Sequence, residues 1–364
     1  MVEFVSLKRQ YDRYAPEFES AALRAIRSGW YILGKELETF EAQFAAYLGV
    51  KYCIGLNSGL DALTLAVRAL GIGPGDEVIV PTNTYIASVL SVTENGATPV
   101  FVEPDAFFCL DAEKIEAAIT PRTKAILPVH LYGQACDMKM ICAIAEKHNL
   151  FLVEDCAQSH GARINGKLTG TFGTVGCFSF YPTKPLGALG DSGAVVTDDA
   201  ALADRLRKLR NYGSGVKYVN ELEGVNSRLD EVQAAALQIG LKHLEEGNDF
   251  RRQIADRYLS EINNPFVTLP KTRIGAKHVY HIFALLCEQR DALQKHMTEC
   301  GVKTLIHYPI PPHLQRCYKR LGHSSGSFPI SERYAEQELS LPIYVNMPEK
   351  DVDLVIEAVN RFDP

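Results

Sequence analysis

Residues 51–81, KYCIGLNSGLDALTLAVRALGIGPGDEVIVP, contain a complete strand–helix–strand unit. Lys51–Leu56 is typical of a strand, Gly59–Leu70 of an amphipathic helix, and Glu77–Val80 of a short buried strand. The turn Gly73–Asp76 separates the helix from the second strand. Parallel strands need such a helical crossover, so this stretch predicts an α/β fold with a mostly parallel sheet covered by helices.

The same alternation continues toward the carboxyl terminus. Further strands are predicted at Pro99–Val102, Lys124–Val129, Leu150–Val153, Cys177–Phe180 and Ala194–Thr197. Helices are predicted at Ile86–Asn95, Asp111–Ile119, Met138–His148, Asp199–Arg210 and Leu229–His243. After the polar stretch Glu245–Asp249 the rhythm is less regular, although 278–282 alternates like a strand. We therefore predict a large domain at 1–245 and a smaller α+β domain at 246–364, on which the N-terminal arm packs.

The composition excludes several classes of protein. The chain has 364 residues and a formal charge of −6, which argues against non-specific nucleic-acid binding. Its nine cysteines form no CxxC pair and no zinc-like cluster with histidine, so we expect reduced thiols and no metal site. No apolar run is long enough for a membrane span, and the N-terminus carries no signal core. These features predict a cytoplasmic protein.

A small-residue turn, Asn57–Leu63, joins the first strand to its helix. Unpaired backbone N–H groups and the helix dipole at such a position can hold a phosphate monoester. The alternative is an ordinary turn capped by Ser58 or Gly59. The chain has neither a GxGxxG fingerprint nor a Walker A motif, which argues against a nicotinamide-dependent dehydrogenase.

Lys184 is the only charged residue between Leu168 and Gly190. Its neighbours are aromatic, apolar or small, and desolvation among them lowers a lysine pKa. A lowered pKa supplies the free amine that a Schiff base requires. The alternative is a loop lysine whose ammonium group reaches water.

Asp155 lies where the predicted strand at Leu150–Val153 meets its loop. Ligands of open α/β sheets bind beyond the carboxyl ends of the strands, so this carboxylate could pair with a buried cation such as a protonated pyridine nitrogen. The alternative is an aspartate that caps a turn. Glu154 alternates to the opposite face of the strand and is not expected to share the site.

Taken in order, these segments resemble one protein family. The order is Ser58–Leu63, then Tyr85 in PTNTY, Asp155-xx-Gln158, Ser179 five residues before Lys184, and Asn226–Asp230. It is similar to that of the DegT/DnrJ/EryC1/StrS sugar aminotransferases, which have the fold-type-I pyridoxal-phosphate (PLP) architecture. The resemblance extends from Gly29 to Pro342.

The resemblance implies a role for each of these residues. Lys184 would form the Schiff base with PLP and move the proton during transfer. Cofactor contacts are implied for Gly59, Leu60 and Ser179 (phosphate), Asp155 (pyridinium nitrogen), Gln158 (phenolic oxygen), Tyr85 (ring face) and Asn226 (phosphate of a neighbouring subunit). The last role implies a homodimer with the active site at the subunit interface. From spacing alone, Asn226 could equally be a polar cap before the helix at 229–243.

The resemblance also implies the reaction. Family dehydratases carry histidine where this chain has Lys184, so transfer of an amino group from L-glutamate is favoured. Gly59-Leu60 in place of Gly-Thr, followed by Asn83–Ser88, resembles enzymes that convert a dTDP-3-keto-6-deoxyhexose into a dTDP-3-amino-3,6-dideoxyhexose. The alternatives are a C4 aminotransferase acting on a UDP- or dTDP-4-keto sugar, and a non-catalytic PLP-binding regulator.

The sugar pocket is predicted around the segment that contains His307 and Tyr308. Aromatic and imidazole groups suit sugar faces and hydroxyl groups, and the family places this segment near the site. The candidate substrate residues are Tyr31, Tyr181, Tyr212, Tyr218, His307, Tyr308 and His313, with Asn211 as a weaker candidate. One or both histidines could instead be structural. His278, Tyr280 and His281 are interpreted as part of the fold, because no third metal ligand accompanies them.

Overall fold

The computed structural model describes residues 1–364. Its helices are α1 (Leu7–Ser28), α2 (Lys35–Leu48), α3 (Gly59–Ala69), α4 (Ile86–Thr93), α5 (Ala112–Ile115), α6 (Met138–Lys147), α7 (Ala200–Leu209), α8 (Glu231–Lys242), α9 (Leu244–Glu261), α10 (Arg290–Glu299), α11 (Pro329–Gln337) and α12 (Glu349–Asn360). Short 3-10 helices lie at Glu116–Ala118, Leu131–Gly133, Pro312–Leu314 and Arg316–Leu321. None of the α-helices is both long and apolar enough to span a membrane.

The strands form one large and three small sheets. They are β1 (Tyr52–Leu56), β2 (Glu77–Pro81), β3 (Thr98–Val102), β4 (Thr123–Ile126), β5 (Phe151–Asp155), β6 (Arg163–Ile164), β7 (Lys167–Leu168), β8 (Val175–Ser179), β9 (Gly193–Thr197), β10 (Ser214–Val216), β11 (Val219–Asn220), β12 (Val267–Thr268), β13 (Ala276–Lys277), β14 (Phe283–Cys287) and β15 (Glu338–Leu341). The large sheet has seven strands in the order β1-β9-β8-β5-β4-β2-β3.

Only β9 runs against the other strands of the large sheet. It pairs antiparallel with both β1 and β8, whereas the pairs from β8 to β3 are all parallel. Helix α3 packs on β8 and β9, while α2 packs on β1 and α6 on β5. The expectation of a mostly parallel mixed sheet covered by helices is confirmed.

Side chains at the predicted helix starts explain why several helices begin where they do. The Ser58 hydroxyl accepts the N–H of Asp61 at 3.0 Å, and Asp111, Asp137 and Asp199 accept N–H groups in the same manner. The two N-terminal helices were not predicted. Helix α1 buries only Phe18, Ala21 and Ala25, so its apolar periodicity is short.

A second hydrophobic core lies toward the carboxyl terminus, under the sheet of β12, β14 and β15. Helices α10 and α12 pack against each other on it. Val2 belongs to this core and forms a parallel bridge with Val302, so the N-terminal arm packs there. We propose the boundary between the two domains at residues 245/246.

The polar stretch Glu245–Asp249, at the proposed boundary, lies in the first turns of α9, where Gly247, Asn248 and Arg251 are buried. One expectation about local structure in this part of the chain is wrong, because residues 278–282 are not a strand. Tyr280 has a positive φ of 44° and its N–H bonds to His278 Nδ1, which turns the chain before β14 begins.

Candidate active site

The carboxyl ends of β1, β2, β5 and β8 meet at one edge of the large sheet, where a cavity of about 640 Å³ opens. Its wall includes the turn after β1, the loop after β2, the end of β5 and the loop after β8. The remaining wall comes from the more distant residues His281, Ile282, His307 and Tyr308.

The turn after β1 presents free donors to this cavity. Ser58 caps α3, but the N–H groups of Gly59 and Leu60 donate to no acceptor in the chain. A Cβ on Gly59 would lie 2.4 Å from Ser179 Cβ, so only glycine permits this close approach. Two backbone donors at a helix N-terminus, beside a serine hydroxyl, form a site suited to a phosphate group. The capped-turn alternative is therefore also correct, because Ser58 caps the helix without using these donors.

Lys184 lines the same cavity. Burial lowers its pKa to about 8, although the negative charge of Asp155 acts in the opposite direction. An appreciable fraction of this lysine is therefore a free amine near neutral pH. This is the property that a Schiff-base lysine requires.

Asp155 is fixed at the end of β5 by donors from two sides. Its Oδ2 accepts the Ser88 hydroxyl at 2.8 Å, and its Oδ1 accepts the N–H of Ala157 at 3.0 Å. Ser88 is in turn 2.7 Å from the Thr84 hydroxyl. Burial raises the pKa of Asp155, while the charge of Lys184 lowers it. A second cation in the cavity would further stabilise this carboxylate.

Gln158 connects the buried Tyr132 to Tyr308 in the cavity wall. Its Oε1 accepts the N–H of Tyr132 at 2.6 Å, and its Nε2 donates to the hydroxyl of Tyr308 at 3.1 Å. The ring of Tyr308 lies 5.2 Å from that of Tyr85 with an inclination of 40°. Tyr85 and Tyr308 thus form adjoining aromatic walls, and the second N–H of the Gln158 amide remains available.

The cavity brings together most of the residues predicted from sequence. Those that line it are Gly59, Leu60, Tyr85, Asp155, Gln158, Ser179, Tyr181, Lys184, His307 and Tyr308. Those that do not line it are Tyr31, Tyr212, Tyr218, Asn226 and His313. The three tyrosines of this second group and Asn226 are exposed on the surface of the single chain. The roles of all these residues remain predictions.

His313 lies outside the cavity and has a structural environment. Its Nε2 is 3.0 Å from a carboxylate oxygen of Glu332, and its ring packs against Phe101 and Phe328. Glu332 also accepts the N–H groups of Gly326 and Phe328. This environment favours the structural alternative for His313.

Sequence reasoning missed three polar residues that belong to the site. His281 and Asp191 line the cavity, and Ser88 holds Asp155. His281 was interpreted as part of the fold, because nothing in its own segment indicates a ligand. It reaches the cavity through tertiary contacts, since the neighbouring N–H of Ile282 bonds to the carbonyl of Tyr132. Ser88 could have been found from its position one turn after Thr84.

A buried cluster of His130, Glu154 and Cys156 lies on the other face of β5. His130 Nδ1 accepts the N–H of Cys136 at 3.1 Å, so Nε2 carries the proton that is shared with Glu154 at 3.0 Å. Glu154 also accepts N–H groups from the loop at 170–173. As expected, Glu154 faces away from Asp155, and these bonds engage both oxygens of Glu154 and both ring nitrogens of His130.

Replacing Glu154 with glutamine should lower the free energy of unfolding by about 3 kcal/mol. An amide offers one acceptor oxygen where the carboxylate serves Gly170, Phe172, Gly173 and His130, so buried donors lose their partners. Urea unfolding measures the loss, with the exposed Glu116→Gln as control. A chelator that destabilises the unmodified protein would contradict this structural interpretation.

The fold and the site together define a class of protein. A mixed seven-stranded sheet with a desolvated lysine, a buried carboxylate and free helix N-terminal donors at one edge is the arrangement of a fold-type-I PLP-dependent aminotransferase. The chain belongs to the DegT/DnrJ/EryC1/StrS aminotransferase family, whose family model matches residues 13–360. Enzymes of this family are PLP-dependent.

Curated relatives match over almost the whole chain. The chain is 54% identical over 363 residues to a dTDP-3-amino-3,6-dideoxy-alpha-D-galactopyranose transaminase of Aneurinibacillus thermoaerophilus, covering 100% of this chain and 99% of that protein. It is 50% identical over 363 residues to a dTDP-3-amino-3,4,6-trideoxy-alpha-D-glucose transaminase of Streptomyces venezuelae, covering 99% and 96%. The crystal structure of S. venezuelae DesV with a ketimine intermediate superposes with a TM-score of 0.97 at 50% identity, covering 100% and 99%.

Proposed function

We propose that this protein transfers an amino group from L-glutamate to the C3 keto group of a dTDP-3-keto-6-deoxyhexose. The product is a dTDP-3-amino-3,6-dideoxyhexose. The observation that carries this proposal is the desolvated Lys184 in one cavity with the buried Asp155 and the free donors of Gly59 and Leu60.

The residues of the cavity fit PLP. Gly59, Leu60 and Ser179 supply donors for its phosphate, and Asp155 supplies a negative charge for its ring nitrogen. Gln158 has a spare amide N–H for the phenolic oxygen, and Tyr85 offers a ring face. The Asp155 carboxylate, held by Ser88 and Ala157, would keep a proton on that nitrogen.

The bound cofactor supplies an electron sink for the carbon that bears the migrating amine. Lys184 would hold the cofactor through its Nζ, and the same Nζ, when free, would be the base that carries the proton during transfer. Its pKa of about 8 suits both roles, since the amine must gain and lose a proton at neutral pH.

The two curated relatives support the choice of C3. Both are named for a 3-amino group on a dTDP-linked hexose, whereas one name gives a galactose derivative and the other a 4-deoxy glucose derivative. The amino position is thus common to relatives that differ at C4 of the sugar. Tyr181, His307 and Tyr308 line the cavity beside Lys184 and are proposed to contact the sugar.

The test is the reverse half-reaction, followed through the absorbance of the cofactor bound to Lys184. The PLP form is mixed with a dTDP-3-amino-3,6-dideoxyhexose and, separately, with its 4-amino isomer. We expect only the 3-amino sugar to remove the band. Loss with only the 4-amino isomer would overturn the C3 assignment. A protein that binds PLP but reacts with neither sugar nor glutamate would instead be a regulator.

The active unit is proposed to be a homodimer. Asn226 is exposed and does not line the cavity of its own chain, which suits a contact with a partner's cofactor. The nearby hairpin of β10 and β11 also exposes apolar side chains, including Tyr218 at 87%. A second copy of this chain would cover both features.

Mixing two inactive variants should restore activity if Asn226 acts across the interface. In a mixed dimer of Lys184→Ala and Asn226→Ala chains, one site combines an intact lysine with an intact asparagine. After random exchange of subunits, about a quarter of the sites should be active. The measurement is turnover of the mixture against either variant alone. Activity no higher than the sum of the separate variants would contradict a shared site.

The cellular setting is proposed from the cysteines. All nine are free in the structure, as expected for a protein of a reducing compartment such as the cytoplasm. The negative formal charge of −6 gives no support to a nucleic-acid partner.

A further inference from the structure

A buried carboxylate that the proposed reaction does not use lies behind the cavity wall. Glu338 and Ser340 are two residues apart on β15, so their side chains lie on the same face, and both are fully buried. Ser340 is held in register by backbone hydrogen bonds to Leu305 in both directions. This pairing brings His307, two residues after Leu305, against the same face of β15.

The three side chains form one continuous hydrogen-bonded chain. Glu338 Oε2 accepts the backbone N–H of His307 at 2.6 Å, and its Oε1 accepts the hydroxyl of Ser340. The Ser340 oxygen is 2.8 Å from His307 Nδ1. Because the hydroxyl proton is donated to Glu338, Nδ1 must carry the proton of the second bond. The lone pair of the imidazole is then on Nε2.

Nε2 of His307 faces the cavity side of this chain. It has no hydrogen-bond partner in the protein, and it is not one of the fully buried polar atoms that lack a partner. His307 itself lines the cavity. Burial and the charge of Lys184 lower the pKa of His307 to about 4, so its ring is neutral under ordinary conditions. Its tautomer, rather than its charge, therefore decides whether Nε2 accepts or donates a hydrogen bond.

We propose that Glu338 and Ser340 are positioning residues. They determine whether Nε2 of His307 accepts or donates a hydrogen bond toward the acceptor sugar. With Glu338 ionised, Nε2 accepts a hydrogen bond. When one proton is taken up at Nε2, the Nδ1 proton passes to Ser340 and the Ser340 proton passes to Glu338. Nε2 then donates, and the imidazole is neutral in both states. The arrangement in the structure, with Nε2 as acceptor, is the productive one.

The surroundings of Glu338 make this change accessible. Burial raises the pKa of Glu338 to about 8. The charged group nearby is Arg290, which bonds to the carbonyl of Glu338, and the phenols of Tyr132 and Tyr308 are the other titratable neighbours besides His307. Both phenols have pKa values raised by burial and stay neutral, so Glu338 is the group hydrogen-bonded to Ser340 that titrates near pH 8. Lys184, whose pKa is also about 8, acts on His307 through its charge from the cavity side.

The first test measures the tautomer directly and needs no substrate. In the cofactor-loaded enzyme labelled with ¹⁵N-histidine, the His307 Nε2 resonance should change from protonated to unprotonated as the pH rises through about 8. Glu338→Gln should hold Nε2 protonated throughout, since the amide N–H₂ donates to Ser340 and Ser340 donates to Nδ1. A single tautomer across this pH range in the unmodified enzyme would overturn the proposal.

The second test rests on the proposed function. As Glu338 ionises, the ratio of kcat/KM for the keto sugar to kcat/KM for glutamate should rise through about pH 8. Lys184 would be bound to the cofactor before glutamate reacts and free before the keto sugar reacts, so its titration remains in the ratio, and the rise assigned to Glu338 is the part that distinguishes the unmodified enzyme from the variants. Glu338→Gln and Ser340→Ala should abolish this rise and lower the ratio about tenfold at high pH. Glu77→Gln, at another buried strand carboxylate, is the matched control and should keep the rise.

An undiminished rise in both variants would overturn the role of Glu338 and Ser340. If the substrate assignment failed, the ratio of the two kcat/KM values could not be measured. The tautomer measurement would still show whether Glu338 and Ser340 control the proton on His307. If Glu338→Gln failed to fold, Ser340→Ala, which interrupts the same chain, would decide it.

Discussion

Turnover should fall by about 10⁴-fold when Lys184 is replaced with alanine, the upper range for a residue that moves a proton in the reaction. The variant should still fold and should still bind the amine form of the cofactor, because Gly59, Leu60 and Asp155 are unchanged. The measurement is a single-turnover assay with glutamate, with the amine form of the cofactor detected by absorbance. Undiminished activity would show that another residue carries the chemistry.

The same position allows an independent stability measurement. Because burial lowers the pKa of Lys184 from 10.5 to about 8, the folded chain pays a desolvation cost whenever the lysine is charged. That cost is complete below pH 8 and disappears as the pH rises toward the unfolded pKa. Lys184→Met should therefore stabilise the cofactor-free protein by about 2 kcal/mol at neutral pH, with a smaller gain at high pH. No pH dependence of this gain would argue against a desolvated lysine.

Asp155→Asn should lower turnover by about 10³-fold, comparable to the loss of one preorganised electrostatic group. Asparagine retains the shape and can bond to Ser88 and Ala157, so only the negative charge is removed. Loss of that charge removes the group that we propose keeps the cofactor's ring nitrogen protonated, and cofactor retention should weaken as well. Kinetics and equilibrium dialysis with the cofactor measure the two effects.

A second readout of this variant concerns Lys184. The Asp155 charge raises the lysine pKa against the effect of burial, so its removal should move that pKa below 8. The pH dependence of borohydride trapping of the cofactor reports this shift. Ser88→Ala is the control, because it removes one hydrogen-bond donor to Asp155 and leaves the charge of Asp155 in place. Its effect on the pKa of Lys184 should be smaller than that of Asp155→Asn. If Asp155→Asn retained both turnover and the pKa of Lys184, the proposed pairing of Asp155 with the cofactor's ring nitrogen and its charge effect on Lys184 would both be wrong.

The large sheet could be predicted because its signals are local. Strands that are buried on both faces, such as β2 and β9, appear as short apolar runs, and turns or capping residues separate them from their helices. Lys184 and Asp155 were found in the same way. Each is a charged group at the end of, or just after, an apolar strand, where a structural explanation is least satisfactory.

The rest of the site depends on contacts that no local pattern records. His281 reaches the cavity only because the preceding turn at Tyr280 packs against the chain at Tyr132. Glu338 reads in sequence as an ordinary strand residue, and its importance arises from the bridge between Leu305 and Ser340.

The position of β1 in the sheet bears on how the protein folds. Although β1 comes first along the sequence, its only neighbour in the large sheet is β9, and the pairs Tyr52↔Thr197 and Leu56↔Gly193 close a very long loop. Such non-local pairing is slow, because the entropy of loop closure must be lost before the contacts form. The donors of Gly59 meet Ser179 only once this pairing is complete. We therefore expect the nascent chain to complete the proposed phosphate site late, so that the cofactor binds after the sheet has formed.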